Sequence, residues 1–153
     1  MSDNPIEPSI PCSMVSSFPV RPRILVVDDE PLILEGLIRL LATRNYDVVA
    51  ANGGCEALIA IGKQLFDVIL LDLGMPDLNG TEVLRFVADR SAETPVIVVS
   101  GDSTIDAAIR ALRGGAADFV RKPYEPEELL RRIDNTLTRR RLEKENNHIL
   151  QRL

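Results

Sequence analysis

Three four-residue runs made only of branched aliphatic side chains, Ile24-Leu25-Val26-Val27, Val68-Ile69-Leu70-Leu71 and Val96-Ile97-Val98-Val99, constrain this chain more than any other feature. Runs without polar alternation suit strands buried on both faces, the condition of a parallel sheet covered by helices. The sequence predicts strands over 23–29, 46–51, 67–72, 95–100 and 118–122. Apolar residues at helical spacing fill the intervals. Pro31 suits a first helical position ahead of 32–44, small residues mark 53–65, and a third helix over 80–90 follows the Asn79-Gly80 turn. A fourth over 103–116 stops at Gly114-Gly115, and a fifth starts near Glu125, after Pro123. This alternation predicts an α/β fold: a five-stranded parallel sheet with helices on both faces and right-handed crossovers.

The ends differ from this core. Residues 1–22 hold five of the ten prolines plus scattered serines and are expected to form a disordered arm. The net charge of −5 argues against wholesale nucleic-acid binding, yet from Arg131 to Leu153 seven basic residues meet three acidic ones. Cys12 and Cys55 show neither metal spacing nor a paired framework; Cys55 is expected to be a small packing residue on the second helix. The first residues lack the basic and apolar regions of a secretory signal, and no apolar run reaches membrane-spanning length, so a cytoplasmic protein with no membrane contact is expected.

The carboxyl ends of parallel strands share one edge. At that edge stand Asp28, Asp29 and Glu30 after the first strand, Asp72 after the third, Ser100 after the fourth and Lys122 after the fifth. With the strand order 2-1-3-4-5, the first and third strands are neighbours at the switch point where such sheets bind ligands. Three carboxylates would then lie within a few ångströms and repel, a conflict relieved by a hard divalent cation such as Mg²⁺ or Mn²⁺. Ser100 offers a hydroxyl and Lys122 a flexible point charge, both suited to phosphate oxygens. Taken singly, Asp28-Asp29 suits a helix cap, Ser100 a turn and Lys122 a solvated surface. Taken together, they converge on one site for a metal and a phosphoryl group, with a carboxylate able to act as nucleophile toward phosphorus.

At these residues the chain resembles the receiver domain of bacterial two-component response regulators. The motifs "ILVVDDE", "DVILLDLGMPDLNG", "PVIVVSG" and "GAADFVRKPYEPEEL" carry the resemblance, from about Arg23 to Arg140. It implies a flavodoxin-like fold and a signalling switch: Asp72 takes a phosphoryl group from a sensor histidine kinase or phosphotransfer protein. It further implies that Asp29 binds Mg²⁺ directly, Asp28 largely through water, and Gly74 through its backbone carbonyl. Ser100 and Lys122 would contact the phosphoryl oxygens, and Phe119, three residues before Lys122, would be the aromatic that swings inward with the hydroxyl. Gly74 and Asp102, two residues beyond Asp72 and Ser100, occupy positions that influence hydrolysis in the family. Signalling would then pass through the face of the fourth helix, fifth strand and fifth helix.

The domain expected is 23–138, followed by an extended C-terminal helix over 139–153 that serves as linker or coiled-coil start. There Leu142, Asn146, Ile149 and Leu153 follow a heptad-like spacing, in which an asparagine can fix register. This pattern meets the last residue without a stop, and continuation into an output domain is expected. Homodimers through the fourth-to-fifth-helix face or through this tail are also expected. Arg139-Arg140-Arg141 reads as a solvated face rather than a nucleic-acid patch, and His148 as exposed. The alternative function is a receiver-like dimerisation or docking module that takes no phosphate. A turnover phosphatase of similar design would want a carboxylate at Gly74, and a flavin protein would not want "DDEP" in its first loop, so no turnover enzyme is expected.

Overall fold

The structure, a computed structural model, describes residues 21–74, 80–90, 93–102 and 104–152, with side-chain surroundings as far as 146. Five strands alternate with five helices: β1 (Arg23–Val27), α1 (Pro31–Ala42), β2 (Asp47–Ala51), α2 (Gly54–Lys63), β3 (Val68–Asp72), α3 (Gly80–Arg90), β4 (Val96–Ser100), α4 (Ile105–Arg113), β5 (Asp118–Arg121) and α5 (Pro126–Arg152). All pairings are parallel, in the order β2-β1-β3-β4-β5, as the alternation and the switch-point argument predict. This is the flavodoxin-like arrangement.

The aliphatic runs divide by parity, because successive strand residues face opposite sides of a sheet. Leu25, Val27, Ile69, Leu71 and Val98 join Ala57, Val83, Leu84, Val87 and Ala111 in the layer beneath α2, α3 and α4. Ile24, Val26, Leu70, Ile97 and Val99 join Leu37, Leu41, Leu129 and Ile133 beneath α1 and α5. Every residue of β3 and β4 is buried. Burial of each such side chain is worth about 1.5–3 kcal/mol, which makes these two strands the rigid centre of the domain.

Several elements are shorter than the sequence predicts. β1 closes at Val27 and β5 at Arg121, so Asp28 and Lys122 lie one residue beyond their strands. They remain in the hydrogen-bonding ladder all the same: the Asp28 N–H donates to the Ala51 carbonyl at 3.2 Å, and the Lys122 N–H to that of Ser100 at 2.8 Å. The sheet therefore continues to hold the two residues on which the site depends. The Lys122-Pro123 peptide bond is cis.

Two surface expectations need correction. Cys55 is exposed, because the inward stripe of α2 is formed by Gly54, Ala57, Leu58 and Ile61, and Cys55 falls on the other side of the helix. Arg140 is not part of a solvated face. Its side chain is 16% exposed, bonds the Phe66 carbonyl at 3.1 Å and pairs with Asp67 at 3.2 Å, while Arg139 and Arg141 are exposed. Asp67 also accepts the Arg23 N–H at 2.8 Å, so Arg140 ties the distal half of α5 to the starts of β1 and β3. The helix runs unbroken through 138–139. Leu142 is 54% exposed and Asn146 is exposed. The side chains of His148, Ile149 and Leu153, together with residues 1–20 and Asn79, lie outside the described residues.

Candidate functional site

The carboxyl edge of the sheet brings together the residues the sequence singles out there. One ligand oxygen from each of Asp28, Asp29 and Asp72 lies within 4.8 Å of the others. Asp28 and Asp72 are buried at 3% and 8% exposure, while Asp29 is half-buried. This acidic cluster is not spent on capping α1: Glu30 occupies the N-cap without a side-chain capping bond, and Pro31 removes one of the donors that would need one. Asp28 instead accepts the Glu30 N–H on Oδ1 at 2.9 Å, which fixes its carboxylate plane.

Lys122 enters from the β5 side. Its Nζ donates to Asp28 Oδ2 at 3.3 Å and lies 3.6 Å from Asp72 Oδ2. Burial alone would pull the ammonium below its ordinary pKa, but the Asp72 and Asp28 carboxylates outweigh it and hold the value above 10.5. Lys122 therefore stays charged and offsets part of the repulsion among the acids. Tyr124, on which no sequence motif for the site falls by itself, lines the same wall; burial pushes its phenol up, Lys122 opposes this, and Asp28 adds to it.

Asp72 Oδ1 accepts the Gly74 N–H at 3.1 Å, leaving the other oxygen toward Lys122. Ser100 is buried at 6% exposure, and its Oγ accepts the Asp102 N–H at 3.1 Å. Asp102 in turn accepts the Thr104 N–H at 3.0 Å, and Thr104 caps α4 by accepting the Ala107 N–H at 3.2 Å. A chain of hydrogen bonds thus runs from the Ser100 hydroxyl to the first turn of α4. Phe119 is half-buried beside this region, in register with Val98 and packed against the layer under α2, α3 and α4.

Gly80, which the sequence places in a turn at the start of the third helix, limits how α3 meets the site. A Cβ at this position would stand 2.7 Å from Leu73 Cα and 3.0 Å from the Asp72 carbonyl oxygen, and backbone cannot yield as a side chain can. Gly80→Ala is expected to destabilise the chain by about 1–3 kcal/mol by overpacking, measured by urea denaturation; a loss under ~0.5 kcal/mol would contradict this packing.

The donor set is all oxygen, partly buried and strongly acidic, which fits a hard divalent cation and disfavours softer metals. On its α3–α4 side the cluster opens into a cavity of about 430 Å³, bordered by Asp72, Gly74, Ser100, Asp102 and Arg110. A phosphoryl-sized group has room there beside the Asp72 carboxylate, the Ser100 hydroxyl and the Arg110 guanidinium.

Residues 24–134 match the family profile described as the response regulator receiver domain. Among curated proteins, the chain is 38% identical over 121 residues to the response regulator MprA of Mycobacterium ulcerans, covering 79% of this chain and 52% of that protein. Among solved structures, a CheY-like response regulator receiver domain protein from Methanospirillum hungatei superposes with a TM-score of 0.78 at 31% identity, covering 81% of this chain and 99% of that one. NtrX from Brucella abortus superposes with a TM-score of 0.82 at 29% identity, covering 88% of this chain and 31% of that one. The chain spans about half the length of the first curated relatives it matches.

Proposed function

From the premise that the chain belongs to the response regulator receiver domain family, whose members work in phosphorylation-dependent signalling, we propose that Asp72 is its phosphoryl acceptor. The single observation that carries this reading is the placement of the Asp72 carboxylate. It is fixed at the tip of a buried strand, 3.6 Å from Lys122, among three mutually close acids, and borders a cavity that Ser100 shares.

Receiver domains bind Mg²⁺ at an acidic pocket, and here Asp28, Asp29, Asp72 and the Gly74 carbonyl would hold it. When bound, the cation would offset the charge of the acids and of the incoming phosphoryl oxygens. The donor is a phosphohistidine of a sensor kinase or phosphotransfer protein. An Asp72 oxygen forms a bond to phosphorus as the phosphorus–nitrogen bond breaks, and the imidazole leaves with the electron pair and takes up a proton. Lys122 pairs with the transferred group, and Ser100 turns its hydroxyl toward a phosphoryl oxygen. That turn withdraws the Oγ from the Asp102 N–H and so disturbs the segment that caps α4. The half-buried Phe119 follows, and the face of α4, β5 and α5 changes.

The chain then acts as a switch and not as a turnover enzyme. A cytoplasmic setting belongs to this proposal; among the described residues no helix is long and apolar enough to cross a membrane. The division into a receiver over 23–138 and a linker helix beyond it, leading to an output region, belongs to it as well, with self-association through α4–α5 or the distal part of α5.

Beryllofluoride with Mg²⁺ mimics an acyl phosphate without chemistry and tests this reading. It is expected to raise the melting temperature by about 2–4 °C, the shift that 1 kcal/mol produces in a chain of this length. Ser100→Ala should lose about half of that rise. No shift beyond that of Mg²⁺ alone would favour a docking module that takes no phosphate.

A further inference from the structure

The cavity beside Asp72 contains a cation that the proposed transfer leaves idle. Among the described residues that line it, Arg110 is the only basic one, against Asp72 and Asp102. Arg110 borders the cavity from α4 together with Ala107 and Ala111, three residues before it and one after. Both alanines are buried and short, so the space in front of them is left open, while the Arg110 side chain is exposed and unconstrained by packing. Its charge is felt at Asp102, where it adds to the backbone and hydroxyl contacts of Thr104 in holding that carboxyl below its ordinary range.

The space on the other side of Asp72 is much smaller. On the side of Asp28, Lys122 and Tyr124 the free volume at Asp72 is only about 10 Å³, against about 430 Å³ on the α4 side. The cavity that Arg110 borders is thus the larger of these two spaces beside Asp72, with room for water next to a phosphoryl group there. Gly74 adds no obstacle there, since even a Cβ at that position would stand 3.8 Å from Asp72 Oδ1.

Resting on the reading of Asp72 as acceptor, we propose that Arg110 binds the phosphoryl oxygens from the α4 side, in competition with Asp102, and so slows hydrolysis of the acyl phosphate. A phosphoryl group adds about two negative charges and three acceptor oxygens, a stronger partner for a guanidinium than a single solvated carboxylate. In hydrolysis, a water oxygen bonds to phosphorus while the bond from phosphorus to the Asp72 oxygen breaks. Asp72 retains the electron pair as a carboxylate, the water's proton passes to solvent, and inorganic phosphate leaves. In the loose, metaphosphate-like transition state of this reaction, the departing Asp72 oxygen beside Lys122 gains charge as its bond to phosphorus lengthens. A guanidinium held on the outer oxygens from the α4 side does not touch that departing oxygen and fills the space in the cavity from which water would attack. The two cations act in opposite senses: Lys122 serves transfer and release, and Arg110 serves persistence.

The test follows decay. The full-length chain is labelled with acetyl phosphate and Mg²⁺, the donor is removed, and the phosphorylated fraction is followed by intact mass. First-order decay does not depend on how much was labelled. Arg110→Ala is expected to lose the phosphoryl group about tenfold faster, the rate equivalent of one charge-assisted hydrogen bond, and Arg110→Lys to fall between. Asp102→Asn, which removes the competitor, is expected to slow decay by about threefold. This slowing should vanish in the Arg110→Ala background, a coupling that a merely structural role would not produce. Decay in Arg110→Ala equal to or slower than wild type would overturn the proposal while leaving Asp72 as acceptor. Failure of the wild-type chain to take any label would overturn both.

Discussion

Lys122→Ala is expected to destabilise the metal-free chain by about 2–3 kcal/mol, and Mg²⁺ is expected to restore much of that loss. Nζ of Lys122 is the cation that pairs with the buried Asp28 carboxylate, 3.3 Å away, and the Asp28 side chain is only 4% exposed. Removing one partner of a buried pair strands the other charge, which costs about 3–5 kcal/mol where water is fully excluded. The Lys122 side chain is 25% exposed, so water entering the gap softens the loss. The pH dependence has a definite sign. The folded-state pKa of Lys122 is raised, so its contribution is complete below the ordinary value of 10.5 and is lost as pH rises through the folded value. The penalty of Lys122→Ala should then be equal at pH 6 and pH 9 and shrink only in stronger alkali. Mg²⁺ should stabilise the variant more than the wild type, because the metal no longer shares the acids with an ammonium. Urea denaturation with and without Mg²⁺ measures both quantities. A penalty below ~0.5 kcal/mol, or an identical Mg²⁺ response in the two proteins, would contradict the account of the cluster.

The second large effect is on chemistry and not on folding. Asp72→Ala is expected to abolish phosphoryl uptake altogether, because the attacking oxygen is removed and, of the three clustered acids, only Asp72 borders the cavity. Stability should change by less than about 1 kcal/mol. Lys122 retains Asp28, and loss of one of three clustered acids relieves repulsion as well as removing an ion pair. The contrast between the two substitutions is the informative point. Lys122 and Asp72 face each other, yet removing the cation strands two acids, whereas removing the acid leaves no charge stranded and frees only the Gly74 N–H.

The candidate site was legible in the sequence to the extent that strand tips are. Asp28, Asp72 and Ser100 each end an aliphatic run and Lys122 follows a short one, so parallel topology alone carries them to one edge. What depends on helix phase or on distances between helices was not legible. Cys55 lies next to buried Gly54 and two residues before buried Ala57, and only the angle at which α2 settles on the sheet turns it outward. Arg140 reads as one of three equivalent arginines until the path of α5 brings it against Asp67. Gly80 and Arg110 matter because α3 and α4 approach the tip of β3 at particular distances, which no local pattern encodes. A hint for Arg110 lay in its flanking alanines, a small-residue stripe interrupted by one long cation.

Intact mass after incubation with a small-molecule phosphodonor, with and without Mg²⁺, for the wild type and Asp72→Ala, decides whether Asp72 is the acceptor. A Mg²⁺-dependent gain of one phosphoryl group is expected in the wild type and none in Asp72→Ala. A gain that persists in Asp72→Ala, or no gain in the wild type under any condition, would contradict it.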